Sequence, residues 1–507
     1  MTVPTDRPPP GKVDGRDGRD DVAVIDVGSN SVRLVMYRLE GRAIWTVYNE
    51  KVLAGLGRDI AATGRLSPDG VKMAIPALRR FASIVEGVRP AAVLTAATAA
   101  VRDAEDGEEF RQRVAAETSL QVRVLTGEEE ARYAALGVLA GAPDARGIAA
   151  DLGGASLELS RVGDGRVEGG VTLPLGPFSL ATPDGFDADH ARTLIAERLK
   201  PVAKAYSGAV LHAVGGGWRS LAQIHMAMVD HPLRIVHQYA MTAQQARDTA
   251  HLVAHQSPGS LARTPGVSKR RVETLPYAAL VLEGLLEHCG FERVEFSAWG
   301  LREGLLFESL APSLVSADPL LASCEAIGLR QGVSPGLPGA LEGWLTGVMA
   351  ALPTAFGEER DGVITAAACR LADVGARLHP DHRVELAFDQ VLRAPAPGQT
   401  HAERAFLASA INARYGGSTE TPAPRVMDRL LNDDQRLRAR ALGLAVRLGS
   451  DMSVRSPQIL ASTVISLKGG ALRLKASRDH ADALLGEQTR RRVKALAETL
   501  DATFEIG

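Results

Sequence analysis

The sequence predicts an α/β protein in which two similar layered domains face each other across a cleft, followed by a mostly helical region. Three observations carry this prediction. Strand and helix signals alternate up to about residue 315. A glycine-bearing strand–turn–strand motif occurs twice. Beyond about Ser316 the β signals fade and the chain becomes rich in Ala, Leu and Arg.

Residues 1–20 are rich in Pro, Gly, Asp and Arg and read as a disordered leader. VAVIDVG, starting at Val22, is a short run of β-formers ending in glycine, the pattern of a buried strand entering a tight turn. A second strand is expected at Val32–Leu39 and a third near Ile44–Leu53. Ser67–Val88 has apolar residues at helical spacing behind a Ser-Pro opening. VLTAAT, a helix over Glu108–Glu117, VRVLT and a helix from about Gly127 to Leu139 complete a first domain, 21–141.

A new cycle opens at Gly147. GIAADLGG, SLELSRV and GGVTLPLG are three strand-like segments separated by glycine turns. Helices are expected at about Asp187–Ala205, Trp218–Met228, Thr242–His255 and Lys269–His288. The strand RVEFSAWG and the short helix LREGLLFESL close a second domain, 142–315. The remainder, 316–507, reads as helical with one hairpin at Ser462–Lys475.

At 507 residues the chain needs more than one core. Its 45 % apolar and 23 % charged residues are the ordinary balance of a soluble globular protein. No apolar run approaches the roughly 18–20 residues that span a bilayer, so no membrane role is expected. Cys289, Cys324 and Cys369 are far apart and lack CxxC spacing, which suits neither a disulfide framework nor a zinc site and points to a reducing cytoplasm. A net charge of −2 exerts no general pull on polyanions, so nucleic acid is not the expected partner. An anionic substrate must instead be captured by local basic clusters and oriented backbone amides.

The internal repeat is the most informative feature. Asp26–Leu34, DVGSNSVRL, aligns without gaps on Asp151–Leu159, DLGGASLEL, with Arg33 opposite Glu158. Glycine lets the backbone approach a phosphate closely, and successive N–H groups in such turns form an anion-binding nest. Ser29, Asn30, Ser31 and Ser156 add side-chain donors. Asp26 and Asp151, at strand ends, are placed to hold a divalent cation directly or through water, and Mg²⁺ suits a site with few carboxylates. An ordinary hairpin with an Asx-type turn is the alternative. TGEEEA stacks three glutamates at a strand-to-helix junction, where Thr126 and Glu129 also have capping-box spacing. Glu158 lies two residues beyond Ser156 on a strand and shares its face.

DVGSNSVRL, TGEEEA, DLGGASLEL, VGGG and GLREGLLFE resemble, in order and spacing, the exopolyphosphatase/guanosine pentaphosphate phosphohydrolase (Ppx/GppA) family, over residues 22–311 above all. The resemblance implies two actin-like (ribonuclease H-like) domains flanking a cleft. It makes Gly28, Ser29, Asn30 and Ser31 the first phosphate loop and Gly153, Gly154, Ala155 and Ser156 the second. Arg102 would bind substrate phosphate, and Gly215 and Gly216 would lend backbone to the phosphate path. Glu129, with Glu130 beside it, would be the base that orients water, and Asp151 and Glu158 would hold Mg²⁺. Trp218 and Arg219 stand where relatives commonly carry small hydroxyl residues.

The implied substrate is inorganic polyphosphate. Guanosine pentaphosphate, or a non-hydrolysing polyphosphate or alarmone sensor, are the alternatives, with an ATP-dependent sugar kinase a more distant one. A homodimer is allowed for, the oligomeric state being left open. Leu371–Gly375 resembles the core of an HD-type helical domain, but Ala372 replaces the metal-binding His, so this domain is expected to be non-catalytic. His379 and His382 have HxxH spacing, read as an exposed turn. Arg425–Arg447 holds six arginines against three aspartates: a solvated helix face or a track for a long polyanion.

Overall fold

The computed structural model describes residues 20–182, 185–332 and 334–507. The chain forms two compact units, 1–317 and 318–507. The expected leader lies outside the described residues except for Asp20, which begins the first strand.

The first unit contains two sheets of matching topology. The first sheet comprises β1 (Asp20–Val27), β2 (Val32–Glu40), β3 (Ala43–Val52), β4 (Ala92–Ala97) and β5 (Arg123–Val124), in the order β3-β2-β1-β4-β5. The second comprises β6 (Gly147–Leu152), β7 (Leu157–Gly163), β8 (Arg166–Leu173), β9 (Val210–Val214), β10 (Tyr239–Thr242) and β11 (Arg293–Phe296). Its order, β8-β7-β6-β9-β11-β10, repeats the first and adds one antiparallel edge strand. In each sheet a meander of three antiparallel strands joins parallel strands through helical crossovers. This is the duplicated, actin-like α/β architecture that the sequence predicts.

The two halves are not sequential blocks. Helix Leu301–Ser309 follows the last strand of the second sheet, yet Leu305 and Leu306 pack with Val22, Val24 and Tyr37 of the first. Helix Gly127–Gly141 sits between the sheets, with Val138 and Leu139 against Ala149, Val162 and Val214 of the second and Tyr133 against the first. Glycine makes this crossing close. A Cβ at Gly137 would lie 2.0 Å from the Gly300 carbonyl oxygen, and one at Gly304 would lie 1.8 Å from that of Tyr133.

Several elements are shorter than the sequence suggests, for local reasons. The helix expected at Asp187–Ala205 ends at Leu199, because Pro201 has no N–H to carry the helical hydrogen-bond ladder onward. The one expected at Lys269–His288 splits into a short turn at Lys269–Arg271 and a helix Leu275–His288 with Pro276 in its first turn. Strand β10 was not anticipated.

The second unit is helical around Phe388, Phe406, Leu442 and Leu448, with one small sheet. The predicted hairpin is β12 (Thr463–Lys468) and β13 (Ala471–Ala476), and the C-terminal β14 (Thr503–Ile506) adds a parallel third strand. All three cysteines are buried free thiols. Among the described residues no helix is long and apolar enough to cross a membrane.

Candidate active site

The two repeated hairpins are one structure built twice. Gly28 N–H donates to the Ser31 carbonyl at 3.0 Å, and Gly153 N–H donates to the Ser156 carbonyl at 2.9 Å. Across the ladders Asp26 pairs with Arg33, and Asp151 with Glu158. The same rungs extend outward to Lys51 and to Thr172. Directly paired residues share a face, so one row reads Asp26–Arg33–Lys51 and the other Asp151–Glu158–Thr172. Equivalent scaffolds thus carry opposite charge.

Each turn is braced from behind. The carbonyls of Ser29 and Asn30 accept from Gly57 at 2.8 Å and Gly55 at 3.1 Å. Those of Gly154 and Ala155 accept from Phe178 at 2.9 Å and Gly176 at 3.0 Å, and the Ser179 hydroxyl adds a bond to Ala155 at 2.6 Å. The carbonyls are occupied while the amides of Ser29, Asn30 and Gly154 donate to no described protein group. Free, converging N–H groups are what an anion nest requires. The loops nearly meet: a Cβ at Gly154 would lie 3.2 Å from Ser29 Cβ and 3.3 Å from Asn30 Cβ.

A cleft of about 350 Å³ opens between them. From the sequence-predicted residues it gathers Gly28, Ser29, Asn30 and Ser31, then Gly153, Gly154 and Ser156, together with Gly215 and Gly216. Gly215 has φ +111°, and a Cβ there would lie 2.5 Å from the Leu152 carbonyl oxygen, so no other residue fits without strain. Asp151, Glu158 and Glu130 also line the cleft. Ala155, Arg102 and Glu129 do not; the first two line a neighbouring cavity.

Glu129 is the main correction. Its carboxylate accepts from Thr126 N–H at 2.9 Å, closing a capping box, and pairs with Arg123. Neighbouring helical residues point about 100° apart, so the glutamate that reaches the cleft is Glu130, which is 7 % exposed. Arg102 Nη1 donates to Glu130 Oε2 at 2.9 Å. Burial first, then the charges of Asp26 and Asp103, raise the Glu130 carboxyl to about 6 against the pull of Arg102. Burial and the Glu130 charge raise Asp151 to about 7, and burial with the Glu130 and Asp151 charges pushes Glu158 well up.

The facing wall carries cations that the sequence reading did not assemble. Arg33, Lys51, Arg219, Arg271 and Arg302 stand together around the cleft. Arg302 Nη1 donates to Asp26 Oδ2 at 3.0 Å. Arg33 donates to Asn49 Oδ1 at 2.8 Å, while Arg271 donates to the Gly216 carbonyl and to Ser220 Oγ. Among the described residues no carboxylate forms an ion pair with Arg33, Lys51, Arg219 or Arg271. Crowding by protein atoms, then the guanidiniums of Arg271, Arg33 and Arg302, bring the Lys51 ammonium down to about 8. Lys51 as a residue is still exposed, so solution pH reaches it. Trp218 instead points into the core, its Nε1–H donating to the Ala278 carbonyl at 2.9 Å.

No group of three or more His, Cys, Asp or Glu side chains among the described residues could hold a metal by itself. The site nevertheless fits an ion that keeps several waters. Glu158 Oε1 is buried without a hydrogen-bond partner, and the raised affinity of Asp151 and Glu158 for protons marks uncompensated negative charge. Two carboxylates with water and phosphate oxygens suit Mg²⁺.

In the second unit, Asp373 of the HD-like segment is neutralised by protein cations. It accepts from Arg455 Nε at 2.9 Å and from Arg414 Nη2 at 3.2 Å. His379 and His382 are exposed in a turn. The basic stretch is not one surface track: Arg438 is 6 % exposed and bonds the carbonyls of Met349, Leu352 and Pro353.

The Ppx/GppA phosphatase family matches residues 35–312, and the exopolyphosphatase C-terminal family matches residues 320–505. Exopolyphosphatase 1 of Mycobacterium tuberculosis is 29 % identical over 326 residues, covering 61 % of this chain and 94 % of the relative. Retrograde regulation protein 2 of Saccharomyces cerevisiae is 26 % identical over 441 residues, 79 % of this chain and 73 % of the relative. A Ppx/GppA family member of Aquifex aeolicus superposes with a TM-score of 0.50 at 27 % identity, over 57 % of this chain and 96 % of that one. An exopolyphosphatase from Cytophaga hutchinsonii shares the fold, with a TM-score of 0.52 at 20 % identity over 57 % and 99 % of the two chains. With paired glycine hairpins, carboxylates and cations gathered in one cleft, the chain belongs to the Ppx/GppA phosphatase family and is a phosphoanhydride hydrolase.

Proposed function

We propose that this protein is an exopolyphosphatase that removes the terminal phosphate of inorganic polyphosphate. The observation that carries the substrate is the set of cleft cations without carboxylate partners, Arg33, Lys51, Arg219 and Arg271. A repeating phosphate chain supplies several counter-charges at once. The names of the mycobacterial relatives support the same substrate.

The terminal phosphate lies between the two loops, its oxygens accepting from the amides of Ser29, Asn30 and Gly154. Glu130 orients a water in line with the bridging oxygen and takes its proton as the water oxygen bonds to phosphorus. The bond from phosphorus to the bridging oxygen breaks, leaving orthophosphate and a chain one unit shorter. A carboxyl poised at about 6 is mostly ionised at neutral pH and still basic enough for this role. Asp151 and Glu158 would hold Mg²⁺, which when bound neutralises charge on phosphate oxygens. Positioning and electrostatics supply most of the catalysis, as phosphoryl transfer requires.

The test is phosphate release, with Mg²⁺, from long-chain polyphosphate and from guanosine pentaphosphate in parallel. Faster release from polyphosphate is expected. Release from the nucleotide alone would reassign the substrate, and binding without release from either would make the protein a sensor.

A further inference from the structure

Behind the second phosphate loop lies another cavity, of about 330 Å³. Ser156 and Phe178 line both this chamber and the catalytic cleft, so the two share a wall. An ion pair spans that wall: Glu130 faces the cleft, and Arg102, 2.9 Å away, faces the chamber. Ala61, Asp103 and Pro174 line the chamber and are exposed, so it opens to solvent.

We propose that this chamber is the exit through which orthophosphate leaves after each cleavage, with Arg102 as its attracting group, while the shortened polymer stays in the cleft. The inference rests on the polyphosphate reading. The cleft is polarised. Lys51 sits among Arg33, Arg271, Arg302 and Asp26, a net cationic group, whereas Glu130 with Asp26, Asp103 and Arg102 makes a net anionic one. A chain gripped by the cations presents its end to the carboxylates, and the phosphate cut from that end has the rest of the polymer between itself and the cationic side. A passage beside Glu130, through the wall that the ion pair spans, would remove the need to let go of the polymer first.

The chamber's chemistry suits a passing anion. Arg102 Nε is held by Asp103 at 2.9 Å and its Nη1 by Glu130 and the Leu125 carbonyl, while its Nη2 bonds no described residue. A guanidinium already shared with two carboxylates attracts phosphate without holding it tightly. The remaining surface is largely Ile60, Ala61, Ala99, Ala100 and Pro174, which offers an anion nothing to bind.

The experiment plugs the chamber from two sides without touching the cleft, using Ala61→Trp and Pro174→Trp. Rapid-quench kinetics on long-chain polyphosphate separate cleavage from release. Both variants should cleave the first bond within about twofold of the wild-type rate and turn over about tenfold more slowly at steady state. A burst of about one phosphate per site would then appear. Unchanged steady-state turnover in both variants would overturn the exit. So would a first turnover slowed as much as the steady state in protein of unchanged melting temperature. Failure of the wild type to release phosphate from polyphosphate would instead sink the substrate reading.

Discussion

Arg33 and Glu158 occupy the same rung of two equivalent ladders, each the antiparallel partner of the aspartate one residue from the end of its sheet's first strand. The duplicated fold places them alike, and the sequence gives them opposite charge. One hairpin is thereby suited to gripping a phosphate chain and the other to holding a cation against it. One repeated backbone thus presents a basic row and an acidic row.

The acidic row should reveal itself as an ion site. With Glu158 buried, Asp151 half-buried and both only partly compensated, saturating Mg²⁺ should stabilise the protein by a few kcal/mol, about 2.7 at a hundredfold excess over Kd. Thermal melting checks this. The wild-type Tm should rise with Mg²⁺, while Asp151→Asn and Glu158→Gln should melt at nearly the same temperature with or without it. An equal Mg²⁺ response in both variants would remove these residues from the site.

Lys51 gives the cleft a pH dependence on the alkaline side. Its ammonium is down at about 8, so it is charged at neutral pH and loses its proton as pH rises through 8. Polyphosphate KM should therefore climb between about pH 7.5 and 9.5. From about pH 8 towards the ordinary lysine value the free protein should gain stability, because the folded state there binds fewer protons than the unfolded chain. Lys51→Arg should flatten the KM profile, and Lys51→Met should raise KM already at pH 7.

Gly154 sets the spacing of the phosphate loops. A methyl group there would press on Ser29 and Asn30 at 3.2 and 3.3 Å, so the loops must part by a few tenths of an ångström. Gly154→Ala should lower kcat by roughly tenfold to a hundredfold with little change in Tm, since misplacement costs catalysis more than folding. Gly215→Ala, at φ +111° and against the Leu152 carbonyl, should cost stability as well, by about 1–3 kcal/mol. Steady-state kinetics and thermal denaturation separate the two.

The repeat DVGSNSVRL/DLGGASLEL made both hairpins legible, because strand, glycine turn and strand are local signals. Lys51 was not legible, for a reason of register. A regular hairpin would set Glu50 across from Arg33, but a bulge between Met36 and Tyr37 leaves Val47 unpaired and brings Lys51 onto that rung. Arg219, in the first turn of helix Gly216–Met228, and Arg271, in the short turn Lys269–Arg271, are joined only by tertiary packing. At TGEEEA the capping-box spacing of Thr126 and Glu129 described the structure, and the residue carried over by resemblance is the one that the cap takes. The small C-terminal sheet was half visible, since its third strand pairs in parallel with a distant partner.

Two neutralising substitutions, one residue apart, test the central claim most directly. Phosphate release from long-chain polyphosphate is measured for Glu130→Gln and Glu129→Gln. The account predicts that Glu130→Gln loses about 10²–10⁴ in kcat with KM nearly kept. Glu129→Gln should keep wild-type-like turnover and lose at most about 1 kcal/mol of stability from its cap. Full activity in Glu130→Gln, with the loss falling on Glu129→Gln, would contradict it.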